Sequence, residues 1–363
     1  MTATLGRAGM AGSVRRQVTG WSCARMNTVR VLSGIQATGT SSHLGTWLGA
    51  VRQYVALQDA GHECFYFVAD LHALTVPHDP GALRTRTRGV VAEMLALGVD
   101  PERSTLFAQS HVVAHTELTW VLECLTGYGE AGRMTQFKDK SGAAGGASVG
   151  LFTYPVLQAA DILLYQPERV PVGDDQRQHL ELTRNLAQRF NSRFGPAFIV
   201  PEAFVPAGSA RVMDLQDPTA KMSKSLGPAG TLRLDDPPDV LRRKVMRATT
   251  DSGSEVRPGE DKPGVTNLLA LYAGLSGRSA EQLVGEYAGS GYGAFKADLA
   301  EVVVAFVEPV QRRLAELAGD PARVDAVLAR GAGRAREVAG ETLATVRELV
   351  GLLPAAGRTG HAG

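Results

Sequence analysis

Residues 29–32 (VRVL), with Ser33 and Gly34 directly after them, predict a short buried strand that ends at a glycine turn. A loop follows, and then a helix that starts near Ser42, because apolar residues recur at positions 44, 48, 51 and 55. Ser41 or Ser42 is the expected N-cap of this helix. A strand that leads into a helix is the first unit of an α/β fold.

The same alternation continues along the chain. Apolar runs predict three further strands, at 64–69 (CFYFVA), 105–108 (TLFA) and 170–173 (VPVG). Helices are expected between and after them, at 80–97, 116–125, 151–165 and 178–190. This order predicts a Rossmann-type parallel sheet with helices on both faces, in which ligands bind beyond the carboxyl ends of the strands.

The length of 363 residues favours two domains. Four regions are expected: a disordered extension over 1–26, a catalytic domain over 27–235, an all-helical domain over 236–352 and a frayed tail over 353–363. The extension is rich in arginine and small residues and contains no acid, a composition that organelle transit peptides share. An unstructured extension is the preferred interpretation. An alternative for the last helix is that it packs back against the catalytic domain.

Composition excludes several classes of protein. A net charge of +1 gives no global signature of polyanion binding, so a nucleic-acid contact would need a local patch of arginines. Three scattered cysteines without a CxxC motif indicate neither a disulfide framework nor a zinc site, and a reducing cytosol fits them. No apolar run approaches the ~18 residues of a membrane span.

Two further strings in the sequence do not carry the chemistry that they suggest. His111 and His115 have the spacing of a metal-binding pair, but they lack the glutamate of a His-Glu-x-x-His motif, so no metal site is predicted. Residues 127–132 match the dinucleotide fingerprint GxGxxG. They follow a helical segment and not a strand, so the match is rejected.

Residues 221–225 (KMSKS) place two lysines three residues apart in a glycine-flanked loop. Only seven lysines occur among the 38 basic residues, and four of them fall in two pairs, 138 with 140 and 221 with 224. A compact ammonium on a flexible stem suits a polyphosphate whose charge shifts during a reaction. A solvated basic loop is the alternative.

Asp161 is the one charge in an apolar helical run, AADILL at 159–164. An unpaired carboxylate is costly to bury, so this side chain either faces water or meets a specific partner.

The sequence resembles the class I aminoacyl-tRNA synthetases. The stretch 221–225 resembles their second signature, and 42–46 (SHLGT) resembles a variant of the first, which has a His-hydrophobe-Gly-His form. The similarity is closer to the tryptophanyl-tRNA synthetases, from about residue 30 to about residue 350. Five stretches carry it: 33–36 (SGIQ), 69–75 (ADLHALT), 133–138 (RMTQFK), 159–165 (AADILLY) and 170–176 (VPVGDDQ).

The resemblance implies a cytoplasmic homodimer, with no membrane contact, that activates L-tryptophan with ATP and Mg²⁺ and transfers it to tRNA(Trp). It implies catalytic roles for Lys138, Lys221, Ser223 and Lys224. ATP would be held from the first helix start and the two signatures, by Gln36, His43, Gly45, Thr46, Gly173, Asp175, Lys221, Met222, Ser223 and Lys224. The tryptophan pocket would comprise Gly34, Gln36, His72, Tyr154, Gln158, Asp161 and Gln176.

Two of these expectations are specific. The first helix start should present free backbone N–H groups to the ATP phosphates. Asp161 should accept the indole N–H of tryptophan, with water as its partner when the pocket is empty.

Three positions depart from the family pattern: Ala37, where proline is frequent, Thr46, where asparagine is common, and Gln158, where bacterial relatives typically have methionine. Gln158 keeps tyrosyl-tRNA synthetase as an alternative. A synthetase paralogue with a regulatory role is another, but it would be marked by loss of the signature lysines. A nucleotidyltransferase that does not use tRNA would lack the helical C-terminal region.

Overall fold

The computed structural model describes residues 28–37, 43–134, 148–171, 176–204, 212–223 and 226–354. Its centre is a sheet of five strands: β1 (Arg30–Gln36), β2 (Glu63–Ala69), β3 (Ser104–Ala108), β4 (Arg169–Pro171) and β5 (Glu202–Phe204). The spatial order is β3-β2-β1-β4-β5, and every neighbouring pair is parallel. The predicted parallel sheet is confirmed. The order reverses between β1 and β4, and such a reversal opens a crevice at the carboxyl ends of the strands.

The first strand is longer than predicted. β1 runs through Ser33 and Gly34 to Gln36, so the expected turn at Gly34 is wrong. Gly34 pairs with Phe67 of β2, and a Cβ at position 34 would lie 2.6 Å from the Phe67 ring. The glycine is therefore required by close approach of a side chain and not by a turn.

The first helix begins at His43, which is its N-cap, and not at Ser41 or Ser42, which lie outside the described residues. His43 has an extended backbone because it forms a β-bridge with Arg233. The helix contains a π-helical turn and has three parts: α1 (Leu44–Thr46), the turn Trp47–Val51, and α2 (Arg52–Asp59).

The helices of the sheet region follow the predicted order. They are α3 (Asp70–Ala73), α4 (Pro80–Ala96), α5 (Ala114–Glu123), α6 (Tyr128–Ala131), α7 (Val149–Leu164) and α8 (Arg177–Phe194), with a 3₁₀ turn at Gln109–His111. The C-terminal region is helical, as expected: α9 (Pro238–Met246), α10 (Pro263–Ser276), α11 (Ala280–Glu286), α12 (Gly291–Gly319) and α13 (Pro321–Leu349). No helix in the described ranges is long and apolar enough to cross a membrane.

Two hydrophobic clusters cover the two faces of the sheet. Val31 and Leu32 point to opposite faces, as successive residues of a strand do, and they belong to different clusters. Burial on both faces is typical of parallel sheets. The last helix, α13, contributes to the cluster that contains Phe107 of β3. It approaches so closely at Gly331 that a Cβ there would lie 1.8 Å from the carbonyl oxygen of Leu106.

Candidate active site

A cavity of about 280 Å³ lies at the β1/β4 reversal. All seven residues that the resemblance assigned to the tryptophan pocket line it: Gly34, Gln36, His72, Tyr154, Gln158, Asp161 and Gln176. Its wall also contains Leu32, Phe67, Ile162 and Val170, which are apolar. A wall that combines apolar side chains with several convergent polar groups suits a small-molecule site.

Local structure explains why these distant residues converge. Gly34 and Gln36 lie at the carboxyl end of β1, and His72 lies on α3, which starts directly after β2. Tyr154, Gln158 and Asp161 are spaced by four and three residues along α7, so they share one face of that helix.

Asp161 is 1% exposed and accepts three hydrogen bonds. Its Oδ1 accepts from Nε2 of Gln109 at 2.7 Å and from Nδ1 of His115 at 2.6 Å. Its Oδ2 accepts from Nε2 of His72 at 2.8 Å. The expectation that water partners this carboxylate in the empty pocket is therefore wrong, because protein donors hold it. A carboxylate has about four acceptor sites, so the acceptor capacity is not exhausted.

The acidity of Asp161 follows from these contacts. Burial by itself would raise its pKa, but the hydrogen bonds and charges of His115 and His72 outweigh burial and lower the pKa to about 2. An ionised carboxylate only accepts hydrogen bonds, so Nδ1 of His115 and Nε2 of His72 carry protons. The pocket thus keeps a permanent acceptor on its wall.

His115 and Gln109 were not recognised as site residues from the sequence. His115 is fully buried, and its second ring nitrogen, Nε2, lies 2.9 Å from the hydroxyl of Tyr165. Its spacing from His111 suggested only a metal pair, whereas its partners are Asp161 and Tyr165. The signal that pointed here was the lone acid in an apolar helix, which required partners from elsewhere in the chain.

Polar contacts also link the other pocket residues. Nε2 of Gln158 donates to Oε1 of Gln176 at 3.1 Å. The hydroxyl of Tyr154 lies 2.9 Å from Nε2 of His179, and burial raises the pKa of Tyr154 to about 12, so the phenol stays neutral. Gln158, the departure from the family pattern, therefore contacts a second predicted pocket residue.

The two signature stretches meet in space. A Cβ at Gly45 would lie 3.5 Å from Cβ of Met222, which is an ordinary van der Waals distance, so the two stretches are adjacent. The same Cβ would lie 3.0 Å from Nδ1 of His43, which is a tight contact within the first stretch. Met222 is buried, whereas Lys221 is exposed and Ser223 is partly buried. The hydroxyl of Thr46 lies 3.4 Å from Nε2 of His43.

One detail of the predicted phosphate site needs correction. The N–H of Leu44 donates to the carbonyl of Leu232 at 2.9 Å, so this amide of the helix start is not available to an anion. Four predicted site residues, Lys138, Gly173, Asp175 and Lys224, lie outside the described residues.

A pH measurement checks the environment of Asp161. Because its pKa is lowered in the folded state from an unfolded value of about 3.9, the stability that its ionised form contributes is complete above about pH 5 and is lost as pH falls through 4 toward 2. We expect the free energy of unfolding of the wild type, relative to Asp161→Asn, to be constant near pH 5 and to decrease below pH 4. Urea unfolding of both proteins below pH 5, where unfolded histidines are already charged, measures this difference. A difference that does not change with pH would contradict the assigned contacts.

A parallel sheet whose order reverses beside a cavity lined by polar and apolar groups, together with two signature stretches in contact, is typical of the class I aminoacyl-tRNA synthetases. The chain belongs to the family described as tRNA synthetases class I (W and Y), whose sequence model matches residues 25–308.

The names of similar proteins support the assignment to this family. A Streptomyces avermitilis protein named tryptophan–tRNA ligase 2 is 56% identical over 330 residues, which are 90% of this chain and 98% of the relative. A Corynebacterium glutamicum tryptophan–tRNA ligase is 56% identical over 328 residues, 89% of this chain and 95% of the relative.

Solved structures are similar over the same region. The tryptophanyl-tRNA synthetase of Mycoplasma pneumoniae is 38% identical, with a TM-score of 0.79 over 90% of this chain and 99% of that one. The enzyme of Campylobacter jejuni, solved with ADP and tryptophan, is 36% identical, with a TM-score of 0.75 over 89% of this chain and 100% of that one.

Proposed function

We propose that this protein is a tryptophan–tRNA ligase. It joins L-tryptophan to ATP, which gives tryptophanyl-adenylate and pyrophosphate, and it then transfers the tryptophanyl group to tRNA(Trp). The observation that carries the proposal is the convergence of seven separately assigned residues on one cavity, with an ionised carboxylate in its wall. The identity to tryptophan–tRNA ligases supports it.

In this proposal, Asp161 recognises the indole ring of tryptophan. Tryptophan binds more tightly because its indole N–H donates a hydrogen bond to the buried carboxylate. A ring that lacks this N–H leaves one acceptor position of the carboxylate unpaired, and sites of this kind discriminate against such a substrate by roughly 10⁴-fold. Tyr154 and Gln176 accept the α-ammonium group of tryptophan, Gly34 and Gln36 lie under the ligand, and His72 closes the pocket.

Adenylate formation needs little acid–base chemistry, because the tryptophan carboxylate is already a nucleophile. The enzyme holds this carboxylate in line with the α-phosphate and neutralises the charge that develops on pyrophosphate. Lys138, Lys221 and Lys224 supply positive charge, with Met222 and Ser223 in the same stretch as the two signature lysines. His43, Gly45 and Thr46 contact the phosphates from the first helix.

Asp175 and the backbone at Gly173 bind the ribose hydroxyls in this scheme. Mg²⁺, if bound with ATP, would be held mainly by phosphate oxygens and would shield their charge. The described ranges contain no cluster of three or more His, Cys, Asp or Glu side chains that could hold a metal ion.

Three further properties belong to the same proposal. The helical region at 236–352 binds the anticodon of the tRNA, and 27–235 is the catalytic domain. Two copies of the chain form a homodimer, to which the exposed Trp120 on α5 offers apolar surface. The cytoplasm is the proposed compartment.

Amino-acid-dependent exchange of pyrophosphate into ATP, measured with each of the twenty amino acids, tests the activity. We expect exchange with tryptophan and, at most, traces with tyrosine. Exchange that is fastest with tyrosine would establish the tyrosyl enzyme instead. Absence of exchange with every amino acid would favour the regulatory paralogue.

A further inference from the structure

The residues 231–236 (TLRLDD), called here the junction segment, connect the second signature to α9. Thr231, Leu232 and Leu234 in this segment are at most 1% exposed. The segment has no regular secondary structure over most of its length, so its position depends on the groups that bond to its backbone.

The junction segment holds the first signature. The carbonyl of Leu232 accepts the 2.9 Å hydrogen bond from the N–H of Leu44, the first residue of α1. The neighbouring pair, His43 and Arg233, forms an antiparallel β-bridge. The start of the first helix is therefore fixed to this segment through the backbone.

The junction segment also holds the second signature. The hydroxyl of Thr231 lies 3.0 Å from the carbonyl oxygen of Ser223 and 3.2 Å from that of Gly227, and its single proton is shared between them. Ser223 is part of the KMSKS stretch. Displacement of Thr231 would consequently move the backbone that carries the signature lysines.

Two side chains from the helical region fix the segment from the other side. Nζ of Lys244, on α9, donates to the carbonyl of Thr231 at 2.8 Å and to Oδ2 of Asp236 at 2.6 Å. Nε2 of Gln311, on α12, donates to the carbonyls of Leu234 and Asp236, both at 2.8 Å. Three of these bonds restrain backbone carbonyls of the segment, and the fourth restrains the side chain of Asp236.

Because Lys244 is buried, its charge is expected to fix the position of the junction segment more than to raise the free energy of unfolding. Its side chain is 10% exposed and that of Asp236 is 12% exposed. A buried ion pair is often no more stabilising than apolar residues of the same volume, because both ions lose water. Such pairs can instead select one arrangement of the backbone.

We propose that Lys244 and Gln311 are positioning residues for adenylate formation. They hold the junction segment in place. Thr231 connects the segment to the second signature through its hydrogen bond to the carbonyl of Ser223, and Leu232 connects it to the first through the hydrogen bond from the N–H of Leu44. The inference rests on the proposed function of the site. It predicts that contacts in the helical region set the alignment of the signature lysines although neither residue lies in the cavity.

The test uses Lys244→Met, Gln311→Met and Thr231→Val, each of which keeps much of the side-chain volume. Lys296→Met is the matched control: Lys244 and Lys296 are both 9% exposed, and Nζ of Lys296 also donates to a backbone carbonyl at 2.8 Å, that of Ala248, which is outside the junction segment. Tryptophan-dependent exchange, tryptophan affinity and melting temperature are measured for every variant.

We expect each of the three variants to lower kcat/KM for ATP by about tenfold or more, with tryptophan affinity within about threefold of the wild type. Lys296→Met should lower the melting temperature and leave kcat/KM within about threefold. Adding Lys221→Ala to Lys244→Met should cost much less than the two separate losses predict, because both act through the signature. Additive losses, or an equal loss in Lys296→Met, would overturn the proposal.

A readout independent of catalysis separates this inference from the proposed function. Trypsin cleaves after Lys221, which is exposed, and the rate reports local mobility of the signature backbone. Lys244→Met and Thr231→Val should accelerate this cleavage, and Lys296→Met should not. An unchanged cleavage rate in Lys244→Met and Thr231→Val would overturn the positioning role, even if the protein showed no exchange activity. Faster cleavage in a protein without exchange activity would contradict only the proposed function. If Lys244→Met does not fold, Thr231→Val and Gln311→Met decide the outcome.

Discussion

Replacing Lys221 by alanine is expected to lower the rate of tryptophanyl-adenylate formation by about 10²-fold or more while tryptophan affinity changes little. The reason is that charge develops on the leaving pyrophosphate only as the reaction proceeds, so a lysine that neutralises it acts on the transition state. Lys221 is exposed, so its ammonium group is accessible to a polyphosphate, whereas its neighbour Met222 is buried. Lys224→Ala should behave in the same way.

Single-turnover measurement of adenylate formation, combined with equilibrium binding of tryptophan, checks this expectation. Lys221→Arg is the informative companion, because it keeps the charge and changes the shape of the head group; an intermediate rate is expected. Lys296→Met controls for the loss of any lysine. Unchanged turnover with weakened tryptophan binding would assign Lys221 to the substrate and not to the transition state.

Replacing Asp161 by alanine is expected to reduce activation of tryptophan by about tenfold to a hundredfold, because a hydrogen bond to a charged group is worth roughly 1.5 to 3 kcal/mol. The structure adds a second cost. His72, Gln109 and His115 each lose an acceptor, so the variant should also be less stable. Asp161→Asn keeps the volume and one acceptor oxygen, and it should lose less stability.

A substrate analogue in which sulfur replaces the indole N–H separates binding from stability. The wild type should discriminate strongly between tryptophan and this analogue, and Asp161→Ala should discriminate much less. Tyr165→Phe perturbs the same network through His115 without removing the carboxylate, and its discrimination should follow the wild type. Equal discrimination by the wild type and Asp161→Ala would make Asp161 a structural residue, with ring selectivity located elsewhere in the pocket.

The sequence predicted the elements that carry strong local patterns. The apolar runs at 64–69 and 105–108 became β2 and β3, and Pro80–Ala96 is helical as expected. β5 was missed because Glu202, Ala203 and Phe204 form no apolar run, and their strand conformation comes from pairing with β4. The role of Gly34 was misassigned for a similar reason: its neighbour, Phe67, is remote in the sequence.

The site likewise combines features that local sequence predicts with features that depend on contacts between distant segments. The isolation of Asp161 among apolar residues indicated that it needs a partner, which is a local inference from the cost of burial. The identity of the partners depends on how α7 meets the segment after β3, and no spacing within the chain reveals that contact. The resemblance supplied the pocket residues, and it did not identify Gln109 or His115.

The contact between α13 and β3 has a consequence for the order of folding during synthesis. The ribosome releases β3 long before α13, since the whole of α9 to α12 is made between them. Until α13 emerges, the sheet surface around Phe107 lacks part of its apolar cover, and exposed apolar surface on an unfinished sheet favours aggregation. The sheet region is therefore made first but completed last, and a chaperone that binds nascent chains should associate with it until residues 321–349 have left the exit tunnel.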